Sequence, residues 1–164
     1  MYARDHGMIA TPIGTIHVEG DDELLYAIRI CDSEPGERRG SATMVRTAIE
    51  QIGAWFAGDR TRFDLALAPL STRRGEQLRA GLIDVGYGET LSYGAFANIL
   101  GSSARAIGQL CARNPFPIVV PCHRILAAGG VLGAYSAGTG PATKRWLLDH
   151  EQAHLSFNQT GDAA

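Results

Sequence analysis

The stretch from Ser92 to Pro117 constrains the fold most, because its punctuation allows two short helices and nothing longer. Ser92 can cap a helix over Tyr93–Leu100 and Gly101 can stop it. Ser102 or Ser103 can cap a second helix over Ala104–Ala112, and Asn114-Pro115-Phe116-Pro117 then breaks it. Two short helices joined by a tight, glycine-containing turn make a helix-turn-helix pattern. At about 100° per residue, Ile107, Leu110 and Cys111 share the inward face of the second helix. Arg105, Gln109 and Ala112 lie opposite, close to Gly108. An outward face of one guanidinium, one amide and small residues can approach a grooved surface closely, although a lone helical arginine is usually just solvated. Cys111, on the apolar face, reads as packing.

The charge around this pattern is one-sided. Residues 1–90 carry ten arginines against fourteen aspartates and glutamates. From Leu91 to Leu148 there is no acidic residue, and Arg105, Arg113, Arg124, Lys144 and Arg145 are basic. A basic half beside an acidic half suits an anionic partner for the basic half. Chance and a solvated surface are the plainer explanation, which the absence of any acid over this length weakens. The N-terminal residues 1–7 lack the apolar run of a signal peptide, and no segment approaches the ~20 apolar residues of a membrane span. Cys31, Cys111 and Cys122 are odd in number and widely spaced, so neither a disulfide framework nor a CxxC metal pair follows. The expected setting is reducing cytoplasm, where Cys122 stays a free thiol, and the expected state is a monomer.

The 164 residues, 45% of them hydrophobic, can build one domain or two small lobes. Residues 8–19 read as two short strands around a turn and 24–30 as a third, with a loop over 33–40. Val45, Ala48, Ile49, Ile52 and Phe56 predict a helix over 41–57, with Ser41 as its cap and Gly58 as its end. An edge strand is expected at 63–67, a linker at 69–72, and a helix at 73–85 with Leu78, Leu82 and Val85 inside. Gly129-Gly130 marks a turn, and Pro141 opens a last helix to about residue 152. The expected architecture is α/β: an N-terminal lobe, 1–70, with a small antiparallel sheet and a helix, and a mainly helical C-terminal lobe, 71–157. Residues 158–164 read as a disordered tail.

The chemistry centres on Val119-Val120-Pro121-Cys122-His123-Arg124. A thiolate is the reactive form of cysteine, and a nearby base or cation lowers its pKa. Neighbouring side chains usually point apart, so the sequence does not put His123 on Cys122. Leu147 and Leu148 mark the buried face of the last helix, and Glu151 follows four and three residues later on the same face. A carboxylate there is costly unless paired, or unless the helix end frays into water. His123 is the attractive partner, giving a Cys–His–Glu arrangement in which a third group orients the base. His150, after Asp149, is expected at the surface; His6, His17 and His154 stand in unremarkable contexts.

Together these residues closely resemble the 6-O-alkylguanine-DNA alkyltransferases, or methylated-DNA–protein-cysteine methyltransferases. The matching runs are Tyr87-Gly-Glu-Thr-Leu-Ser-Tyr93, Ala104-Arg-Ala-Ile-Gly108, Arg113-Asn-Pro115, Ile118-Val-Val-Pro-Cys-His-Arg124, Gly133, Tyr135-Ser136 and Lys144-Arg-Trp-Leu-Leu-Asp-His-Glu151. The likeness is tight over roughly 86–151 and looser over the first 70 residues. There the order of strands and helix, with Phe63-Asp64, looks like the family's N-terminal domain. The resemblance implies an RNase H-like N-terminal lobe and a winged-helix-like C-terminal lobe. It implies double-stranded DNA containing alkylated guanine as partner, no organic cofactor and no metal.

The resemblance also implies roles. Cys122 takes the alkyl group of a flipped 6-O-methylguanine, with 4-O-methylthymine as a second substrate, once per molecule. His123 removes the thiol proton through a water, Glu151 orients His123, and Asn114 holds the turn. Tyr93 donates to the leaving guanine and pushes the adjacent phosphate. Arg105 fills the gap left by the base, while Gln109 and Arg124 join it on the DNA-facing side. Tyr135 and Ser136 contact the base, and main-chain carbonyls at Cys122 and Ile125 read its amino group. Two departures stand out: a turn from Gly101 to Arg105 about two residues shorter than usual, and a loop after Ser136 about two residues longer, with Ala137 where glycine is common. The rival classes are a non-catalytic binder of alkylated DNA, whose relatives lack the cysteine, and a cysteine hydrolase.

Overall fold

The structure, a computed structural model, describes residues 4–32 and 36–159, with side chains to residue 155. Residues 33–35 of the expected loop and 160–164 of the expected tail lie outside the described residues; 158 and 159 end the last helix. The chain divides into two compact units. One runs to Ser71 and also takes Pro115–Val119; the other comprises Thr72–Asn114 and the chain from Val120 on.

The first unit is a three-stranded antiparallel meander and one helix. Strands β1 (Asp5–Thr11), β2 (Gly14–Gly20) and β3 (Leu25–Cys31) lie in sequence order, with Ile9 opposite Ile16 and Ile16 opposite Ile30. Helix α1 (Thr43–Phe56) buries Val45, Ala48, Ile52 and Trp55, and Ile16, Val18, Leu25 and Ile28 complete the core. Each buried valine, leucine and isoleucine among them contributes about 1.5–3 kcal/mol by leaving water. The start of α1 corrects the expected cap. Ala42, not Ser41, holds the cap position, and its own side chain contributes nothing. Instead Asp5 Oδ2 accepts from the Ser41 and Ala42 amides at 2.6 and 2.8 Å, and Asp22 Oδ1 accepts from Thr43 at 2.8 Å. These carboxylates sit where orphan amides and the helix dipole favour negative charge. The hydrogen bond from Ala42, then that from Ser41, holds the Asp5 carboxyl below its ordinary value.

Residues 63–67 form no strand. A single bridge joins Leu25 to Leu67, through Leu25 N–H to Ala66 O and Ala68 N–H to Leu25 O. The Asp64 backbone is satisfied at both its groups by the Gln51 amide, so it needs no strand partner.

The second unit is mainly helical. Helix α2 (Arg73–Ile83) starts behind a Thr72 cap and buries Leu78 and Leu82, with Val85 just beyond its end. Helix α3 (Tyr93–Leu100) is capped by Ser92 and ends at Gly101, which takes the left-handed conformation at φ 62°. Helix α4 (Ala104–Ala112) is capped by Ser103. Arg74 donates to the carbonyls of Leu100 and Gly101, placing a cation at the negative end of α3. Strands β4 (Leu91–Ser92) and β5 (Ile125–Leu126) pair in parallel. At two residues each they are too short to show a period of two. Helix α5 (Pro141–Gln159) runs seven residues past its expected end. Among the described residues the protein is mixed α/β, with a small antiparallel sheet and five α-helices.

Candidate active site

Pro121 leads into one turn of 3-10 helix, Cys122–Arg124, closed by the Arg124 amide donating to Pro121 O at 3.0 Å. Three residues per turn set successive side chains about 120° apart. Cys122 therefore faces a cavity of about 150 Å³, whose wall it shares with Tyr93, Cys111, Tyr135 and Ser136, while His123 does not line it. The small residues Gly108, Ala112 and Ala134 complete that wall.

His123 and Arg124 turn towards α5 and meet on Glu151. The His123 Nε2 lies 3.2 and 3.1 Å from the two carboxylate oxygens. Arg124 Nε donates to the same oxygens at 2.6 and 3.1 Å. A second guanidinium nitrogen donates to Val85 O at 2.6 Å, and the group lies 5.7 Å from the Tyr87 ring centroid. His123 and Glu151 are fully buried. Burial pushes the Glu151 carboxyl up, but the hydrogen bond and charge of His123, joined by Arg124, outweigh it and hold Glu151 below its ordinary value. Burial dominates at His123 and lowers its pKa against the pull of Glu151, so the imidazole is neutral near pH 7. Its Nε2–H donates to the carboxylate, which leaves Nδ1 as the basic nitrogen. Burial, then Glu151, pushes the Tyr87 phenol up to about 12.

Asn114 closes the loop ahead of the nucleophile. Its Nδ2 donates to Val120 O at 3.0 Å and to Cys122 Sγ at 3.4 Å. Cys111 is buried, as its place on the inward face of α4 predicts, but it is more than packing. Its side chain and that of Cys122 line the same cavity. The neighbouring Cys111, with burial next, pushes the Cys122 thiol well up, while Cys122 in turn holds Cys111 down. Cys122 is therefore a thiol at rest and needs a base at the moment of reaction. Tyr93 is raised by burial and stays protonated, able to donate. Tyr135 is raised further by the same cause, and its buried hydroxyl has no hydrogen-bond partner among the described residues. Among those residues no three His, Cys, Asp or Glu side chains converge on a metal position, and no helix is long and apolar enough to cross a membrane.

Comparison with known proteins places this site in a family. Residues 76–153 match the DNA-binding domain of 6-O-methylguanine DNA methyltransferase. Over 163 residues the chain is 38% identical to the methylated-DNA–protein-cysteine methyltransferase of Mycolicibacterium paratuberculosis, covering 95% of this chain and 97% of the relative. The chain belongs to the methylated-DNA–protein-cysteine methyltransferase family. The Methanosarcina acetivorans member is 34% identical, covering 89% of this chain and 97% of its own. A crystal structure of Mycobacterium tuberculosis OGT in complex with DNA is similar at a TM-score of 0.77 and 34% identity, covering 91% of this chain and 93% of that one. The methyltransferase of Pyrococcus kodakaraensis, 21% identical with a TM-score of 0.54, shares the fold.

In this methyltransferase-family chain, three sequence expectations need correction. Arg124, expected on the DNA-facing side, is buried, and its fork is spent on Glu151 and Val85 O inside the protein. Ile125 was assigned to the base pocket. It does not line the cavity, and its carbonyl accepts the buried Lys144 ammonium at 2.6 Å. An ammonium taken out of water needs such acceptors, and Ala134 O supplies another at 3.2 Å. His150, expected at the surface, is buried with its ring 5.0 Å from Trp146 and 4.3 Å from His154. Arg105 and Gln109 are exposed on α4, on the face opposite Ile107 and Cys111.

Lys144 is the residue that the sequence reading passed over. It is fully buried, 5.9 Å from the Tyr93 ring centroid, and its charge pulls both thiols towards thiolate. The signal was present: Lys144, Leu147 and Glu151 follow the helical spacing i, i+3, i+7 that defines the buried face of α5.

Proposed function

We propose that this protein repairs alkylated DNA directly, moving the methyl group of 6-O-methylguanine onto Cys122, with 4-O-methylthymine as a second substrate. The observation that carries the reading is a cavity-facing Cys122 thiol backed by the buried His123–Glu151–Arg124 set. Family membership supports it, as does the likeness to Mycobacterium tuberculosis OGT, whose crystal structure is a complex with DNA.

In this mechanism the flipped guanine enters the cavity between Tyr93 and the Tyr135–Ser136 loop. The Cys122 proton passes towards His123 through a water, and Glu151 stabilises the imidazolium that burial alone would disfavour. The sulfur attacks the methyl carbon; the S–C bond forms, the C–O bond breaks, and the guanine oxygen leaves with its electron pair. Tyr93 donates to the leaving base, and Asn114 holds the sulfur in line. The thioether is not hydrolysed, so each molecule acts once and needs no cofactor. Arg105 enters the stack where the base was, and Gln109 lies beside it against the DNA. The first unit is RNase H-like and the second winged-helix-like, with α3 and α4 as the helix-turn-helix. The protein works as a monomer, in cytoplasm.

Incubation with duplex DNA carrying 6-O-methylguanine should raise the intact-protein mass by one methyl, on the peptide containing Cys122, with at most one event per molecule. Repeated turnover would point to a hydrolase, and tight binding with Cys122 unmodified would point to a non-catalytic binder. Arg105→Ala should slow transfer from duplex DNA by ~10-fold or more, because extruding a base costs a few kcal/mol. Transfer from free 6-O-methylguanine, which needs no extrusion, should stay within about two-fold. Equal losses on both substrates would remove the finger role.

A further inference from the structure

We infer that Cys111 and Cys122 form a reversible, peroxide-driven disulfide that withdraws the acceptor thiol from use. Cys111 comes from the inward face of α4 and Cys122 from the 3-10 turn, and both side chains open onto the same cavity. Asn114 ties their supports together: its amide donates to Cys111 O at 3.3 Å and its side chain to Cys122 Sγ at 3.4 Å. Oxidation joins the two sulfurs on that cavity wall in a bond of about 2.05 Å. The Lys144 ammonium favours a thiolate on either sulfur, the form that peroxide attacks. Cys31 belongs to the first unit and is not among the residues that line this cavity.

The chemistry balances with hydrogen peroxide as oxidant. One thiolate attacks a peroxide oxygen, the O–O bond breaks, and sulfenic acid and hydroxide result. The second sulfur attacks the sulfenic sulfur; the S–S bond forms, the S–O bond breaks, and hydroxide leaves. The two thiol protons turn both hydroxides into water. A thiol reductant reverses the bond by exchange. The consequence is protective. A lone cysteine proceeds from sulfenic to sulfinic acid, which ordinary reductants do not restore. A single-use acceptor oxidised in that way is lost before it meets its lesion.

The test begins without DNA, so it stands apart from the repair reading. The wild-type protein, treated with near-stoichiometric hydrogen peroxide, should lose the mass of two hydrogens and yield a Cys111–Cys122 cross-linked peptide that dithiothreitol removes. The oxidised fraction should lose methyl transfer in proportion to the disulfide formed and regain it on reduction. In Cys111→Ala, and in Cys111→Ser should the first variant fold poorly, peroxide should drive Cys122 to sulfinic acid. The loss of transfer, relative to the same variant untreated, should then resist reductant. A wild-type map showing Cys122 as sulfinic acid with Cys111 a free thiol, or a cross-link through Cys31, overturns the inference. Failure of untreated protein to transfer methyl at all would count against the repair reading alone and leave the cross-link result standing.

Discussion

Cys122→Ser should abolish methyl transfer completely while leaving binding to alkylated duplex DNA within a few-fold of wild type. Sulfur is the atom that makes this chemistry accessible, since a hydroxyl is a weak nucleophile without a strong base beside it. The pocket should survive, because serine is isosteric within a small change of radius and Asn114 Nδ2 can donate to an oxygen as it does to Sγ. The measurement is intact-protein mass with peptide mapping after exposure to duplex 6-O-methylguanine, alongside a binding titration on the same DNA. Cys111 on the same cavity makes the mapping decisive. Methyl appearing on Cys111 in the variant would show that the cavity offers two acceptors and that the assignment to Cys122 is incomplete. Loss of binding together with transfer would mean that the substitution had damaged the pocket and that the thiol shapes it as well as reacting in it.

What could be read from the sequence follows the range of the forces involved. The cap-and-stop residues of α3 and α4 act within four residues of themselves, so Ser92 and Gly101 are legible and the cap of α4 is narrowed to Ser102 or Ser103, of which the fold uses Ser103. The cap of α1 was not legible, because its carboxylate comes from Asp5, thirty-six residues before Ser41. Glu151 could be placed on the buried face of α5 by helical period alone. Its partnership with Arg124 could not, since that depends on the 120° step of a three-residue turn with no sequence pattern of its own. The misassignment of Arg124 has the same origin: a cation in an acid-free stretch reads as a surface charge until its one buried carboxylate arrives from twenty-seven residues away. Cys111 shows a further limit. Helical period separates inside from outside, but a cavity wall is also inside, so a core thiol and a pocket thiol give the same pattern.

Glu151→Gln should both destabilise the protein and slow methyl transfer, and the pH dependence of the rate separates the two effects. The substitution keeps the side-chain shape and removes the charge that two buried groups share. Breaking a buried ion pair by neutralising one member costs about 3–5 kcal/mol, since the Arg124 guanidinium is left without its anion. Denaturant unfolding at pH 7 should show a loss of that order. The sign of the pH dependence in the wild type is set by two depressed values. Both Glu151 and His123 titrate below their ordinary 4.5 and 6.5 in the folded state. Their contributions are therefore complete above about pH 6.5 and decline as the pH falls, because the unfolded chain takes up protons that the folded one refuses. The variant should lose the Glu151 part of that decline. For transfer, a positioned base contributes typically 10²–10⁴-fold, and a neutral partner no longer stabilises the imidazolium, so the rate should drop about 100-fold. Without the carboxylate the His123 pKa falls further, and the acid limb of the transfer rate should move to lower pH. A stability loss with the rate and its acid limb unchanged would make Glu151 a packing residue and take His123 out of the proton path.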